Sequence, residues 1–388
     1  KDFLYPRLDD KGHRVTRYSY HPPQSMPDGW PVGDLRQPPY SQSVSLGKLA
    51  AGLTNILRST KSTPLDKKYK YPYIHSVVLV QSGTLLLDEY FYGYQPTDLQ
   101  AVQSMTKSVF SALVGAAVVT RKLSPAEKVF NSFPKYDTDP KKKNISVRDL
   151  LIMSSGLDCN DWAKDSCSWD MVDHSTDWLE FALDKPGAYD AGTTFQYCGS
   201  CLNILSALVE KRTQMTIPDF AKTKLFGPLG ITNATWWTGP APSSGLPGGV
   251  ITPAAFGLKI AARDLAKLGQ LYLNQGKWWG GQTLLPPGWV KDSTTAWASS
   301  GLHNKQGQPP VMDYGYLWWT LNFPYQGGTV RAFYAFGAGM QYLFVVPDLQ
   351  LVCLLTAGDE QGTPSWGSSV QSFFVNYILP AVSAPGKK

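Results

Sequence analysis

Ser104-Met105-Thr106-Lys107 sets a hydroxyl and an amine three residues apart at the head of an apolar stretch. Residues at that spacing share one helix face, with Cβ atoms roughly 5–6 Å apart, so the lysine reaches the serine. An amine there can take the hydroxyl proton and leave a nucleophilic oxygen. The residues from Ser108 to Val119 carry no charge, which predicts a core helix whose first turn is partly dry. Burial disfavours the ammonium form, and an uncharged lysine is a base.

The spacing recurs at Ser45 to Lys48 and at Ser132 to Lys135. Gly47 weakens a helix at the first of these, and Pro134 breaks one at the second. Ser104 to Lys107 stands instead where an extended region passes into an uninterrupted apolar helix. A serine activated in this way also needs a group that carries a proton to the leaving atom and donors that stabilise an oxyanion. Two segments offer them: Gly192 to Gln196 runs into Tyr197 just before a predicted helix, and Phe336-Gly337-Ala338-Gly339-Met340-Gln341 leads into the strand-like run 342–346.

The elements that must position these residues follow from pattern. Residues 1–45, rich in Pro, Tyr and Gly, read as an extended arm, and 46–57 as a helix. The apolar runs 76–81 and 84–91 flank Ser82-Gly83, a hairpin signal. Helices are predicted at 147–153, 178–183, 202–211, 217–224 and 261–275. Strands return at 314–321, 328–335, 341–346 and 349–356, and a last helix spans 369–377. This order predicts an α/β (α+β) fold, an antiparallel sheet flanked by helices with an inserted all-helical lobe. The expected division is an arm at 1–45, a sheet domain from 46–107 with 301–388, and a mostly helical lobe at 108–300. Ser104 falls at the edge of the cleft between them, where ligands commonly bind.

Five segments in order carry a resemblance: Ser104 to Lys107; Ile145 to Asp158; Tyr197 with its preceding loop; Phe226-Gly227-Pro228-Leu229-Gly230-Ile231; and Gly337-Ala338-Gly339 running to Pro347. Over roughly residues 70–380 the chain resembles the serine β-lactamase and penicillin-binding-protein superfamily, in its class C and esterase-like branch. It looks closest to 6-aminohexanoate-dimer hydrolases and related carboxylesterases. The resemblance implies that Ser104 is acylated, that Lys107 activates it, and that Tyr197 is the partner acid and base, with the last two titrating as a coupled pair. It also implies an oxyanion hole from the backbone N–H groups of Ser104 and Met340.

Departures from that pattern bear on the substrate. The family's tyrosine motif carries an Asn two positions on, and here that position is Gly199. The third motif begins with Lys or His, and here Gly337 stands at the matching place. Both losses weaken recognition of penicillin-like substrates and suit a wider or more apolar ligand. Gly199, Gly337, Ala338 and Gly339 are therefore substrate-binding candidates. Among the tryptophans in segments that rim or support the cleft (Trp162, Trp169, Trp236, Trp237, Trp318, Trp319), Trp162 and Trp169 join them, each pairing an apolar face with one donor.

Composition narrows the class. The 388 residues carry 36 basic and 30 acidic side chains, a net charge of +6. The basic run Lys141-Lys142-Lys143 is short and reads as a solvated turn, so no nucleic-acid partner is expected. No stretch approaches the roughly 20 apolar residues needed to span a bilayer. The histidines show no metal-ligand spacing, no Gly-x-Ser-x-Gly elbow surrounds a serine, and no phosphate loop occurs, so neither metal nor cofactor is expected. Lys1 at the start fits a mature product after removal of a signal peptide. Cys159, Cys167, Cys198 and Cys201 cluster, which favours disulfides and a secreted or periplasmic location, with Cys159 to Cys198 the preferred pair. A thioredoxin-like site and a zinc site are the rival readings of these cysteines, and Cys353 reads as a buried thiol.

The expected activity is hydrolysis of a small-molecule ester or amide through an acyl-enzyme. A D-amino-acid peptidase, a weak β-lactamase and an acyltransferase stay open, as does a penicillin-binding-like sensor or scaffold. The sequence leaves the oligomeric state unknown.

Overall fold

A computed structural model of the chain describes residues 5–59, 73–301, 312–358 and 369–386. The first four residues of the arm, and 60–72, 302–311, 359–368 and 387–388 of the expected sheet domain, lie outside that set. The numbered elements, in chain order, are α1 (Leu46–Arg58), β1 (Ile74–Gln81), β2 (Thr84–Tyr90), β3 (Leu99–Ala101), α2 (Thr106–Val119), α3 (Val147–Leu151), α4 (Cys167–His174), α5 (Trp178–Leu183), α6 (Leu202–Thr213), α7 (Ile217–Ala221), β4 (Ala234–Trp236), β5 (Leu258–Ala261), α8 (Ala262–Leu273), β6 (Ala298–Ser299), β7 (Asp313–Tyr314), β8 (Trp319–Tyr325), β9 (Gly328–Gly337), β10 (Gln341–Val346), β11 (Leu351–Ala357) and α9 (Ser369–Phe373).

One antiparallel sheet runs β2-β1-β11-β10-β9-β8-β7-β6. The early and late strands of the sequence meet where β1 pairs with β11, one strand in from the β2 edge. Every residue of β10 and β11 is buried, which is why 342–346 and 351–355 are continuously apolar rather than alternating. The β1–β2 hairpin closes through Ser82 and Gly83, both left-handed at φ 49° and 78°, as a two-residue turn matched to strand twist requires.

Helices cover both faces. Gly269 of α8 lies so near the sheet that an added Cβ would stand 2.6 Å from Val352 and 3.1 Å from Leu343. On the other face Phe374, in the turn that continues α9, stacks on Phe344 at 3.9 Å between ring centroids. Leu343 and Phe344 therefore point to opposite layers, as successive strand residues must. Although α8 falls numerically within the segment 108–300, it packs on the sheet.

The arm is extended and firmly seated. Val32 bridges Leu85 on the edge strand β2, which blunts an exposed edge. Arg263, 2% exposed, holds Asp28 of the arm at 2.7 Å and Asp88 of β2 at 2.6 Å.

Two predicted elements break where backbone packing intervenes. The strand expected at 314–321 is split between β7 and β8, because Gly315 lies against the Ser293 carbonyl and Leu317 turns left-handed at φ 61°. The helix expected at 147–153 stops at Leu151, since Met153 is left-handed at φ 56°. Helix α4 has no counterpart in the sequence reading; its buried residues are Cys167 and Met171, one turn apart. Among the described residues no helix is long and apolar enough to cross a membrane.

Candidate active site

Ser104 sits in a 3₁₀ turn, Gln103–Met105, that runs directly into α2. Across this junction of turn and helix, side chains three apart share one face. Lys107 Nζ accordingly lies 2.9 Å from Ser104 Oγ and also donates to the Ala255 carbonyl at 3.1 Å. Lys107 is 3% exposed, and α2 is buried from Thr106 to Ala117. The turn is tied to β5: Val102 N–H donates to Leu258 O at 3.1 Å, and Leu258 N–H to Thr106 Oγ1 at 3.4 Å. Thr106 Oγ1 donates back to Gln103 O at 2.6 Å.

The hairpin between β9 and β10 faces this turn. Gly337 is buried against it, and a Cβ there would come within 2.4 Å of the Val102 carbonyl. The two backbones thus meet with no side chain between them, and no Lys or His fits at 337 without moving one of them. Gly339 and Met340 turn the hairpin at φ 78° and 66°, and Gln103 beside the serine stands at φ 48°. Met340 and Gln103 are non-glycine residues in a sparsely populated region, and both line the same cavity. Held strain of this kind concentrates at functional sites. The Ser104 N–H opens a helical turn, where such donors have no partner within the helix.

The facing wall is made of loops. Tyr197 is buried, with Lys107 Nζ 4.6 Å from its ring centroid. Its ring stacks on Trp162 at 5.0 Å and Trp319 at 5.9 Å, and meets Tyr314 edge-on at 6.4 Å. Among the described residues no group hydrogen-bonds the Tyr197 hydroxyl. Beneath this cluster the cysteine sulfurs meet: Cys159 contacts both Cys167 and Cys198, and Cys198 contacts Cys201. The expected pair Cys159 and Cys198 is one of three contacts, and a sulfur can form only one disulfide. Cys353 is a free, buried thiol, and burial pushes its pKa above the ordinary thiol range.

These walls enclose a cavity of about 600 Å³. Ser104, Lys107, Tyr197, Gly199, Ala338, Gly339, Met340, Trp162 and Trp169 line it, and Gly337 does not. Trp169 is 64% exposed at the mouth. Of the other tryptophans, Trp237 and Trp319 line the cavity, Trp318 is buried against Tyr272, and Trp236 spends its indole N–H on Pro253 O and Phe256 O. Sequence reasoning missed Asp161, Ser166, Ser168, Phe256 and Phe336, which join the lining. Asp161 precedes Trp162 and was in view, but nothing in one sequence shows that its loop folds over Gly199. A larger hollow of about 850 Å³ lies elsewhere, lined by Glu210, Lys211, Asp219 and Lys222 among others, and none of the chemically paired residues reaches it.

A hydroxyl and an amine in contact at the floor of an aromatic cavity, facing a tyrosine, is an arrangement suited to acyl transfer. Residues 75–366 match the family described as Beta-lactamase. The chain belongs to the beta-lactamase family. It is 25% identical over 282 residues to the 6-aminohexanoate-dimer hydrolase of Paenarthrobacter ureafaciens, covering 67% of this chain and 68% of that one. A structure named as a 6-aminohexanoate-dimer hydrolase from Bacillus anthracis superposes with a TM-score of 0.65 at 18% identity, over 90% of this chain and 86% of the other. EstCE1, described as a hydrolase with promiscuous acyltransferase activity, superposes at 0.61 and 16% identity, over 77% and 92% of the two chains. The antiparallel sheet with its flanking helices is thus the beta-lactamase and transpeptidase-like fold, and the chain is a beta-lactamase-fold hydrolase.

Proposed function

We propose that this chain is a serine hydrolase that cleaves an ester or amide through an acyl-enzyme on Ser104, in the manner of a 6-aminohexanoate-oligomer hydrolase or a carboxylesterase. The observation that carries the reading is the 2.9 Å contact between Lys107 Nζ and Ser104 Oγ inside the aromatic cavity. Ser104 Oγ attacks the carbonyl carbon while Lys107 takes its proton. The oxyanion is received by the N–H groups of Ser104 and Met340. Tyr197, beside the lysine, passes a proton to the leaving oxygen or nitrogen as its bond to carbon breaks. Water then attacks the acyl carbon, returns a proton through the same groups and restores Ser104.

Trp162, Trp169, Trp237, Phe256, Trp319 and Phe336 make the lining predominantly apolar, which favours an acyl chain or ring over a carboxylate-bearing β-lactam. Ser104→Ala is expected to abolish turnover of p-nitrophenyl esters and labelling by a fluorophosphonate. Retained turnover would falsify the assignment. Run across p-nitrophenyl esters, linear amides and a chromogenic cephalosporin, the wild-type protein is expected to prefer the first two.

The cysteine cluster supports an extracytoplasmic, oxidising location. Of the observed contacts, Cys159 to Cys167 and Cys198 to Cys201 are the pairs that use each sulfur once. Denatured, unreduced protein is expected to show one free thiol, Cys353. A higher count contradicts two bridges.

A further inference from the structure

Asp161 and Lys107 are the two charged side chains lining the Ser104 cavity among the described residues. The aspartate is bound into the wall by its backbone and its carboxylate together. Its N–H donates to the Tyr197 carbonyl at 2.7 Å. Oδ2 accepts the Gly199 N–H at 2.7 Å and the Ser168 hydroxyl at 2.9 Å, and Oδ1 accepts the Ser168 N–H at 2.8 Å. A single residue thereby grips the chain on both sides of Cys198 and fixes where the Tyr197 ring stands.

The carboxylate also fills a particular volume. A Cβ added to Gly199 would lie 2.9 Å from Asp161 Oδ2 and 2.7 Å from Ser168 Oγ. Position 199 is where the resemblance would have an Asn side chain. Here the polar group arrives from the facing loop instead, and it brings a negative charge where an amide would be neutral. On the hairpin side, the backbone contact at Gly337 leaves no room for a cation.

We propose that Asp161 is a positioning and specificity residue, which replaces the missing side chain at 199, orients Tyr197, and makes the cavity select uncharged or cationic substrates against anionic ones. The selection is repulsive: an anion must approach a fixed carboxylate with no cation beyond Lys107 to offset it. The proposal deepens the hydrolase reading, and its kinetic arm rests on that reading.

Two arms keep the failures apart. In the Ser104→Ala background, which needs no turnover, 4-nitrobutyranilide and the equally long 4-nitrosuccinanilate are titrated against the fluorescence of the cavity tryptophans. Asp161→Asn is expected to improve the affinity of the anion relative to the neutral anilide about fivefold, a size set by a partly solvated charge. An unchanged ratio overturns the charge selection. In the catalytic background, Asp161→Ala and Gly199→Asn are each expected to lower kcat for p-nitrophenyl butyrate about tenfold without matching loss of thermal stability, whereas the double variant regains activity because the new amide occupies the vacated space. Simple additivity, or a pH–rate profile unmoved in Asp161→Ala, overturns the positioning role. A shifted binding ratio in a chain whose wild type cleaves no ester or amide would retain the charge filter and remove the hydrolase reading.

Discussion

On one side of the cavity Ser104, Lys107 and Met340 stand on a helical turn and a hairpin pressed backbone to backbone, whereas on the other Asp161, Trp162 and Tyr197 stand on loops joined by hydrogen bonds, stacked rings and sulfur contacts. The first wall is continuous with the sheet and with buried α2, so its distances are inherited from the core. Its tolerance is small, because close-packed interiors transmit a displaced atom rather than absorb it. The second wall borrows its order from a few polar bonds, and its tryptophans at the mouth are exposed. Under the proposed mechanism the nucleophile, its base and the oxyanion donors lie on the packed side, whereas the tied loops carry Tyr197 and most of the surface that meets a ligand.

The largest expected effect breaks the packed wall at its base. Lys107→Ala should lower kcat for p-nitrophenyl butyrate about a thousandfold, the scale of losing a positioned proton acceptor. Near-wild-type kcat would show that another group serves Ser104. Next comes Gly337→Ala, which touches no substrate but sets a methyl 2.4 Å from the Val102 carbonyl. The turn bearing Ser104 must shift, and kcat is expected to fall about a hundredfold with KM little changed; a loss confined to KM would mean that the hairpin is not holding the reacting atoms.

Substitution on the loop wall should read differently. Trp162→Ala removes a ring 5.0 Å from Tyr197 and part of the lining, and is expected to raise KM about tenfold while kcat falls less. Equal losses in both parameters would erase the contrast between the walls.

The smallest effect belongs to neither wall and serves as the reference. Glu210 is 6% exposed, and burial pushes its carboxyl from 4.5 up to about 7, opposed by the hydrogen bond it accepts from Ile217 N–H. The native state holds this proton more tightly than the unfolded chain. Stability therefore falls as pH climbs from about 4.5 to about 7, and the penalty is absent below that window. Glu210→Gln should raise stability by about 2 kcal/mol at pH 8 and leave it unchanged at pH 4, measured by urea denaturation, with kinetics unaltered. An equal gain at both pH values would point to packing rather than charge.

Much of this frame was legible because it is written locally. The Ser82-Gly83 hairpin, α5, the strand at 341–346 and the Ser104 to Lys107 spacing each depend on residues adjacent in the chain. The break at Gly315 was not legible, since its cause is the carbonyl of Ser293, distant in the sequence. Asp161 escaped for the same reason: its partners are Ser168 and Gly199, and a carboxylate on a polar loop looks like any solvated acid.

By itself the sequence determined the antiparallel sheet bracketing the helices, the family pattern and the placing of Lys107 beside Ser104, because apolar periodicity and i, i+3 spacing are short-range properties. Only the tertiary structure decided which loop fills the space beside Gly199, why position 337 excludes a side chain, and which sulfurs touch. Those outcomes depend on backbones far apart in sequence arriving within a few ångströms, and no local pattern encodes such distances.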